Sequence, residues 1–381
     1  MIEAAKERDN EITQVPLTAF PGIRVGQAQD EDGGTGITVV LCEDPAGMAA
    51  GLHIGGGGPA CRETGLLDPV TTAQRIHAAV LGGGSAFGLD AAGGVMRYLE
   101  EKGIGVEVRE IHVPLVAQVD IFDLPVGDPR VRPDQAMGYA ACRMSEKAGG
   151  NYRDGCYGAG CGATIGKYAG GEHAMKSGIG CCVLRQGNLL VGAIVAVNAF
   201  GDIYDWKTGQ KIAGARSGDG RLLDRVEMVT CLRQMEENKA RASAGYSTRT
   251  ALNTTIGIVF TNAPFQKAQL CKIAAMAHDG FARSIAPVHT SGDGDSIIAL
   301  SVPAKACGHD SGTTVDGGND SGSAADACND SCPAVEGGEA VTAGIDTVGT
   351  LAAWAASEAI LQGVQSAESM YGYRALKDLP L

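Results

Sequence analysis

Aromatic residues are scarce, at 5% of the chain, and charged residues reach only 20%. No basic cluster interrupts a formal net charge of −13. That excludes a nucleic-acid binder of the usual kind, because neutralising phosphates takes a face rich in lysine and arginine. No stretch approaches the roughly 20 consecutive apolar residues of a membrane-spanning helix. Met1 to Glu11 is charged and lacks the apolar core of an export signal, so the cytoplasm is the expected compartment. There the twelve cysteines read as reduced thiols, not as a disulfide framework. Tandem repeats are missing too, so the 56 glycines point to tight turns and close backbone contacts.

What is present is apolar material for a large core, 44% of the residues. Residues 1–15 read as a polar, flexible leader. Residues 16–381 read as one α/β or α+β layered domain, since strands and helices mix without the regular alternation of a βαβ array. Gly36–Cys42 and Ser296–Val302 read as strands, and Leu189–Asn198 and Thr254–Thr261 as strands buried on both faces. Thr71–Leu81 reads as a helix or a helix-strand junction. Gly82-Gly83-Gly84-Ser85 then opens a helix with Phe87, Ala91, Val95 and Leu99 on one face and Gly103 at its end. Gln135–Lys147 is expected to be helical, Asp123–Pro133 an irregular loop, and Gly155–Gly171 a run of turns. Asp224–Ser247 reads as an exposed helix running into a flexible segment. Pro264 suits a first helical turn, followed by Leu270, Ile273, Ala274, Ala277 and Phe281 on one helix face. Residues 304–340, rich in Gly, Ser and Asp, read as a mobile insertion. A last helix runs near Val348–Val364, with Leu351, Trp354 and Leu361 on one side.

The chemical centre is Asn253-Thr254, where a polar, turn-prone stretch meets a buried strand. Asn tolerates strained backbone. A hydroxyl residue directly after it can bring its Oγ onto the preceding carbonyl, shifting the amide to an ester that water opens. The product is an N-terminal Thr254 whose own amine, with an ordinary pKa of about 7.7–8.0, serves as general base for its hydroxyl. Taken alone, Asn-Thr-Thr before a strand is an ordinary loop-to-strand junction.

An ordered series of segments changes that weighting. It runs Phe20-Pro21-Gly22-Ile23-Arg24-Val25-Gly26, Arg62-Glu63-Thr64, Gly83 to Asp90, and Gly158 to Lys167. It continues with Val195-Ala196-Val197-Asn198, Asn253-Thr254-Thr255-Ile256, and Pro287-Val288-His289-Thr290 leading into Asp293-Gly294-Asp295. Together these resemble the L-aminopeptidase/D-esterase family, the DmpA-type self-processing hydrolases, in the pattern of its threonine-nucleophile, nylon-oligomer branch. The resemblance implies a four-layer α-β-β-α sandwich similar to N-terminal-nucleophile hydrolases. It implies cleavage into residues 1–253 and 254–381, assembly into a homo-oligomer, and hydrolysis of small amide or peptide substrates without a cofactor. It puts Thr254 in the nucleophile's place, Asn198 in the oxyanion-hole place and Lys167 near the nucleophile. Asp293 and Asp295 become a carboxylate pair that orients Thr254 or binds a substrate amine. The β-aminopeptidase members carry Ser and Glu at those two positions and Ser as nucleophile. The family's tyrosine falls near Arg132 here, so β-peptide specificity and tyrosine-assisted oxyanion binding do not carry over.

Other readings stay open. Asn198 alone is a strand-closing turn residue, Lys167 a surface charge, and Asp293-Gly294-Asp295 a turn without the further ligands of a calcium loop. Gly82–Ser85 reads as a close helix-to-sheet contact, with an anion cradle as the alternative. Cys307, His309, Cys328 and Cys332 could assemble four zinc ligands, but the loose spacing argues against a metal site. Cys181-Cys182 reads as buried filling. His289 and His278 lack a cysteine in a nucleophile context, and His289 reads as structural. Acyl transfer of the ornithine acetyltransferase type, and a non-catalytic binding protein on the same fold, are the rival functions.

Overall fold

Two sheets carry the fold, and side-chain alternation along their strands decides what lies on each face. The computed structural model describes residues 11–147, 151–241, 253–302 and 341–379. The larger sheet has seven strands in the order Ile12–Val15, Ile179–Gln186, Leu189–Asn198, Thr254–Thr261, Ser296–Ser301, Met48–Ile54 and Arg75–Ile76. The smaller has five, in the order Ile23–Asp30, Thr35–Cys42, Ala78–Gly82, Val116–Asp120 and Ala60–Arg62. Each is antiparallel apart from one parallel pair, Thr254–Thr261 with Ser296–Ser301 in the first and Ala78–Gly82 with Val116–Asp120 in the second.

All ten residues of Leu189–Asn198 are buried. Leu190, Ile194 and Ala196 pack between the two sheets, against Val40, Leu81 and Val119 of the smaller one. Leu189, Val191, Ala193, Val195 and Val197 face the other way, onto the helices Lys267–Ser284 and Ile345–Gln365. The outer face of the smaller sheet is covered by the helices Ala91–Glu101 and Gln135–Met144. The layers are therefore helix, sheet, sheet, helix, as the resemblance implied.

Local chemistry fixes the helix ends. Asp134 accepts the Met137 N–H and starts one helix; Gln266 and Gln269 cap each other at the start of another. Gly103, at φ 68°, turns the chain after Glu101, as expected of a left-handed helix terminator.

Several expectations need correction. Ile12–Val15 is an edge strand paired with Val183–Gln186, not part of a flexible leader; it satisfies the open backbone groups of that strand. Residues 1–10 lie outside the described residues. Thr71–Leu81 holds no helix. Ala78–Gly82 is a strand with small apolar residues buried on both faces, a run whose period does not separate helix from strand. Phe87 sits in a 3₁₀ turn, Ser85–Asp90, ahead of the α-helix; the tighter winding turns its ring out, 55% exposed, with the Arg132 guanidinium 3.6 Å above it. Pro264 precedes the cap residue Gln266 and lies outside the helix. The exposed helix is Arg225–Arg241. The flexible segment expected after it, to Ser247, and the insertion at 304–340 fall outside the described residues.

Close approach of sheet and helix rests on glycine at one position in particular. A Cβ on Gly180 would sit 2.1 Å from the carbonyl oxygen of Ala359 in the covering helix. Gly180→Val is expected to destabilise the fold by about 1–3 kcal/mol through overpacking. The check is a urea midpoint measured against wild type; an unchanged midpoint contradicts this packing.

Candidate active site

The strand directions bring distant residues to one end of the larger sheet. Leu189–Asn198 runs antiparallel to Thr254–Thr261, with its last residue, Asn198, opposite the first, Thr254. Ser296–Ser301 runs parallel to the latter, so the turn leading into it, Asp293 to Asp295, arrives at the same end. A parallel bridge joins Asn253 to Asp293. On the smaller sheet, Ala78–Gly82 and Val116–Asp120 are likewise parallel, and the chain beyond their ends delivers Gly83-Gly84 and Phe122-Asp123. The Asn198 side-chain amide crosses between the sheets, donating to the Phe122 carbonyl at 2.9 Å.

Thr254 is 4% exposed and Asn253 2%. The Thr254 hydroxyl donates to the Asn253 carbonyl oxygen at 2.6 Å, and the Gly294 N–H donates to the same oxygen at 2.9 Å. Two donors on one buried carbonyl withdraw electron density from the Asn253–Thr254 peptide. Gly294 must be glycine here, because a Cβ would stand 2.8 Å from the Thr254 hydroxyl oxygen.

Lys167 lies in a 3₁₀ turn after Gly166, whose left-handed φ of 70° sends the chain back toward the sheet. Its ammonium donates to both oxygens of Asn198, the side-chain Oδ1 at 2.6 Å and the backbone carbonyl at 3.1 Å. The residue is half-buried, but its charged end is enclosed, and loss of hydration pushes Lys167 down to about 7, against the pull of Asp293 and Asp123. Asn198 Oδ1 also takes the Thr164 N–H at 3.1 Å. In the continuous chain, therefore, every polar atom of the Asn198 side chain is engaged.

Asp123 was not anticipated. It accepts the Gly84 N–H at 2.6 Å and the Thr35 hydroxyl at 2.8 Å, and burial pushes it up to about 6 despite them. The glycine turn at 82–84 thus does hold an anion, one that belongs to the chain itself. A Cβ on Gly83 would meet that carboxylate at 2.1 Å, which is the signal the glycines carried.

Asp293 and Asp295 are each 2% exposed. Asp293 Oδ2 accepts the Thr290 N–H at 2.8 Å, while its Oδ1 has no hydrogen-bond partner among the described residues. Burial, and then the charge of Asp295, push Asp293 up to about 6. Asp295 Oδ1 accepts the Thr255 N–H at 2.6 Å, and its Oδ2 lies 2.8 Å from His289 Nδ1. The Gly55–Gly58 run packs beneath this turn: Gly55 N–H donates to the Asp295 carbonyl and Gly58 N–H to that of Asp293. All five residues singled out in the sequence are thus at one end of the sandwich, with Asn253. The zinc candidates Cys307, His309, Cys328 and Cys332 lie outside the described residues. No helix among the described residues is long and apolar enough to cross a membrane.

A threonine hydroxyl on the preceding carbonyl lies with a lysine, an asparagine and carboxylates at one end of a four-layer sandwich, the architecture of the N-terminal-nucleophile hydrolase fold. The sequence profile of Peptidase family S58 matches residues 10–377. The chain belongs to that family and is a hydrolase of the peptidase or amidase type. An uncharacterized aminopeptidase of Mycobacterium tuberculosis is 35% identical over 373 residues, 95% of this chain and 97% of that protein. A 6-aminohexanoate-oligomer endohydrolase of Kocuria sp. is 32% identical over 289 residues, 74% of this chain and 73% of that protein. Among solved structures, the L-aminopeptidase D-Ala-esterase/amidase of Ochrobactrum anthropi superposes with a TM-score of 0.61 at 17% identity, over 97% of this chain and 93% of that one. A Burkholderia sp. beta-aminopeptidase gives 0.57 at 19% identity, over 97% and 94%. At those identities the likeness speaks for the fold.

The buried lysine makes stability depend on pH in a predictable direction. Unfolded, Lys167 holds its proton up to ~10.4; folded, it holds it only up to about 7. Between those limits folding releases a proton, so the penalty is complete below the lower value and fades as pH rises. Lys167→Met removes that dependence. In a Thr254→Ala background, urea unfolding is expected to show wild-type lysine gaining on methionine from pH 7 to 10, with a constant gap below 7. A gap independent of pH across the whole range contradicts a desolvated ammonium.

Proposed function

We propose that the chain cleaves itself between Asn253 and Thr254 and then hydrolyses linear amides with the freed Thr254. The observation that supports this best is the Thr254 hydroxyl, 2.6 Å from the Asn253 carbonyl oxygen that Gly294 also polarises. The hydroxyl oxygen attacks the Asn253 carbonyl carbon. The oxyanion that forms is held by the Gly294 N–H, the C–N bond breaks, and the proton lost by the hydroxyl ends on the nitrogen. Water then opens the ester, leaving a carboxylate on Asn253 and a free amine and hydroxyl on Thr254.

In the processed enzyme that amine takes the proton from its own hydroxyl as the hydroxyl adds to a substrate carbonyl. It passes the proton to the departing amine, and water deacylates the ester. Lys167 raises the local positive potential, which keeps the Thr254 amine unprotonated. Cleavage also frees the strand end opposite Asn198, and its side-chain amide then serves the oxyanion of the substrate, a role worth roughly 2.7–4 kcal/mol. The partnerless oxygen of Asp293 is suited to accept from the neutral Thr254 amine or from the ammonium of a substrate. Linear amides with a free amino end, such as aminoacyl amides and ω-amino-acid oligomers, are the substrates this favours.

Wild-type protein is expected to run as two fragments on a denaturing gel, and Thr254→Ala as one 39.0 kDa band without amidase activity. Cleavage of Thr254→Ala at the wild-type rate overturns the assignment. In the processed enzyme Asn198→Ala is expected to lower kcat by about 10²–10³; an unchanged kcat removes Asn198 from the reaction.

A further inference from the structure

A chain of hydrogen bonds leaves the active site through Asp295, and its end fixes where the protons sit. His278 Nε2 lies 3.1 Å from the His53 carbonyl oxygen. A carbonyl has no proton to give, so His278 carries its hydrogen on Nε2. Burial pushes His278 down to about 4, so at neutral pH its Nδ1 is bare. That bare nitrogen is 3.2 Å from His289 Nε2, which must therefore be the donor. His289 Nδ1, at the other side of the ring, is 2.8 Å from Asp295 Oδ2, and the His289 backbone N–H donates to the same oxygen at 3.0 Å. A lone pair facing a carboxylate at that distance is repulsive, so a proton lies between them as well.

We propose that His289 is a positioning residue: as an imidazolium, oriented by His278, it balances the charge of Asp295 and lets both oxygens of that carboxylate stay fixed, one on the Thr255 N–H that follows the nucleophile. Two carboxylates two residues apart in a dry turn repel each other. The imidazolium relieves that repulsion from the Asp295 side and leaves Asp293, whose Oδ1 is partnerless, as the carboxylate available to an amine. The groups facing His289 are consistent with this. His53 comes from the strand Met48–Ile54, His278 from the helix Lys267–Ser284, and Asp295 from the turn. His53 is lowered by burial, then by His289 and Lys272. A neutral His278 at its back leaves Asp295 as the partner of the imidazolium. The three rings are not a metal set: no group of three or more His, Cys, Asp or Glu with ligand geometry occurs among the described residues.

This deepens the proposed function, and its test separates the two. Side-chain ¹⁵N spectra of imidazole-labelled wild type and Thr254→Ala at pH 7 are expected to show His289 protonated on both nitrogens and His278 on Nε2 alone. A singly protonated His289 overturns the proposal, whatever Thr254 does, whereas active Thr254→Ala overturns the nucleophile and leaves the spectra standing. His289→Asn keeps a donor toward Asp295 but not the charge. Losing a positive charge raises the pKa of every group around it, carboxylate and amine alike. The acid limb of the kcat profile is therefore expected to move up by about one pH unit, with kcat about tenfold lower and KM within about threefold. A merely structural histidine would lower the yield of folded enzyme and leave the limb in place; a limb superimposed on wild type overturns the proposal. Should His289→Asn not fold, the wild-type spectra decide alone.

Discussion

The oxygen of the Asn253 carbonyl receives a hydroxyl from the residue after it and an N–H from Gly294, in a place almost closed to bulk solvent. A hydrogen bond in such surroundings is stronger than in water, and an unpaired polar group costs correspondingly more. The architecture around it follows from those two facts. Asn253 must sit at the mouth of a buried strand so that its carbonyl points at the turn 293–295. That turn must be pressed close, which is why Gly294 and Gly55, Gly56 and Gly57 lack side chains: a Cβ on Gly56 would stand 2.2 Å from the Asp293 carbonyl oxygen. The inter-sheet core, with Ile194, Ile256, Ile298 and Val119, keeps the same end of the sandwich dry.

Dry surroundings raise the stakes for every charge nearby. The site holds Lys167 and the carboxylates of Asp123, Asp293 and Asp295, and among the described residues Lys167 makes no direct ion pair with any of the three. Instead the charges are shared through neutral intermediaries: Asn198 between Lys167 and the Phe122 carbonyl, backbone amides between the carboxylates and their turns. Burial then drags lysine and aspartate toward each other, Lys167 down to about 7 and Asp123 and Asp293 up to about 6. Groups tuned to that range change protonation at little cost, as proton-transfer chemistry near neutral pH requires.

Much of this was legible in the amino-acid order, for identifiable reasons. Leu189–Asn198 and Thr254–Thr261 read as doubly buried strands because both faces of each meet a core. The helix of Leu270, Ile273, Ala274, Ala277 and Phe281 read correctly because only one face does. Periodicity failed where tertiary contacts overrode it. Ala78–Gly82 is too short and too uniformly apolar to show its period, a 3₁₀ turn rotated Phe87 out of line, and Ile12–Val15 is ordered by an open strand edge rather than by its own composition. Asn198, Lys167, Asp293 and Asp295 were recognisable as an ordered set, although each alone looked ordinary. The roles of Asp123, Gly294 and the His289–His278 pair were not, because their contributions are a filled backbone cradle, an N–H and a relay across three elements, none of which leaves a spacing in the chain. The glycines came nearest to a signal: Gly83 and Gly84 marked the cradle without saying that Asp123 occupies it.

The chemistry of this site depends on which bond breaks. Amino-terminal sequencing of the smaller fragment of purified protein tests this most directly. The fragment is predicted to begin Thr-Thr-Ile-Gly-Ile, the residues from Thr254 onward. A fragment with any other first residue, or a chain that stays whole while it turns over an amide substrate, would contradict it.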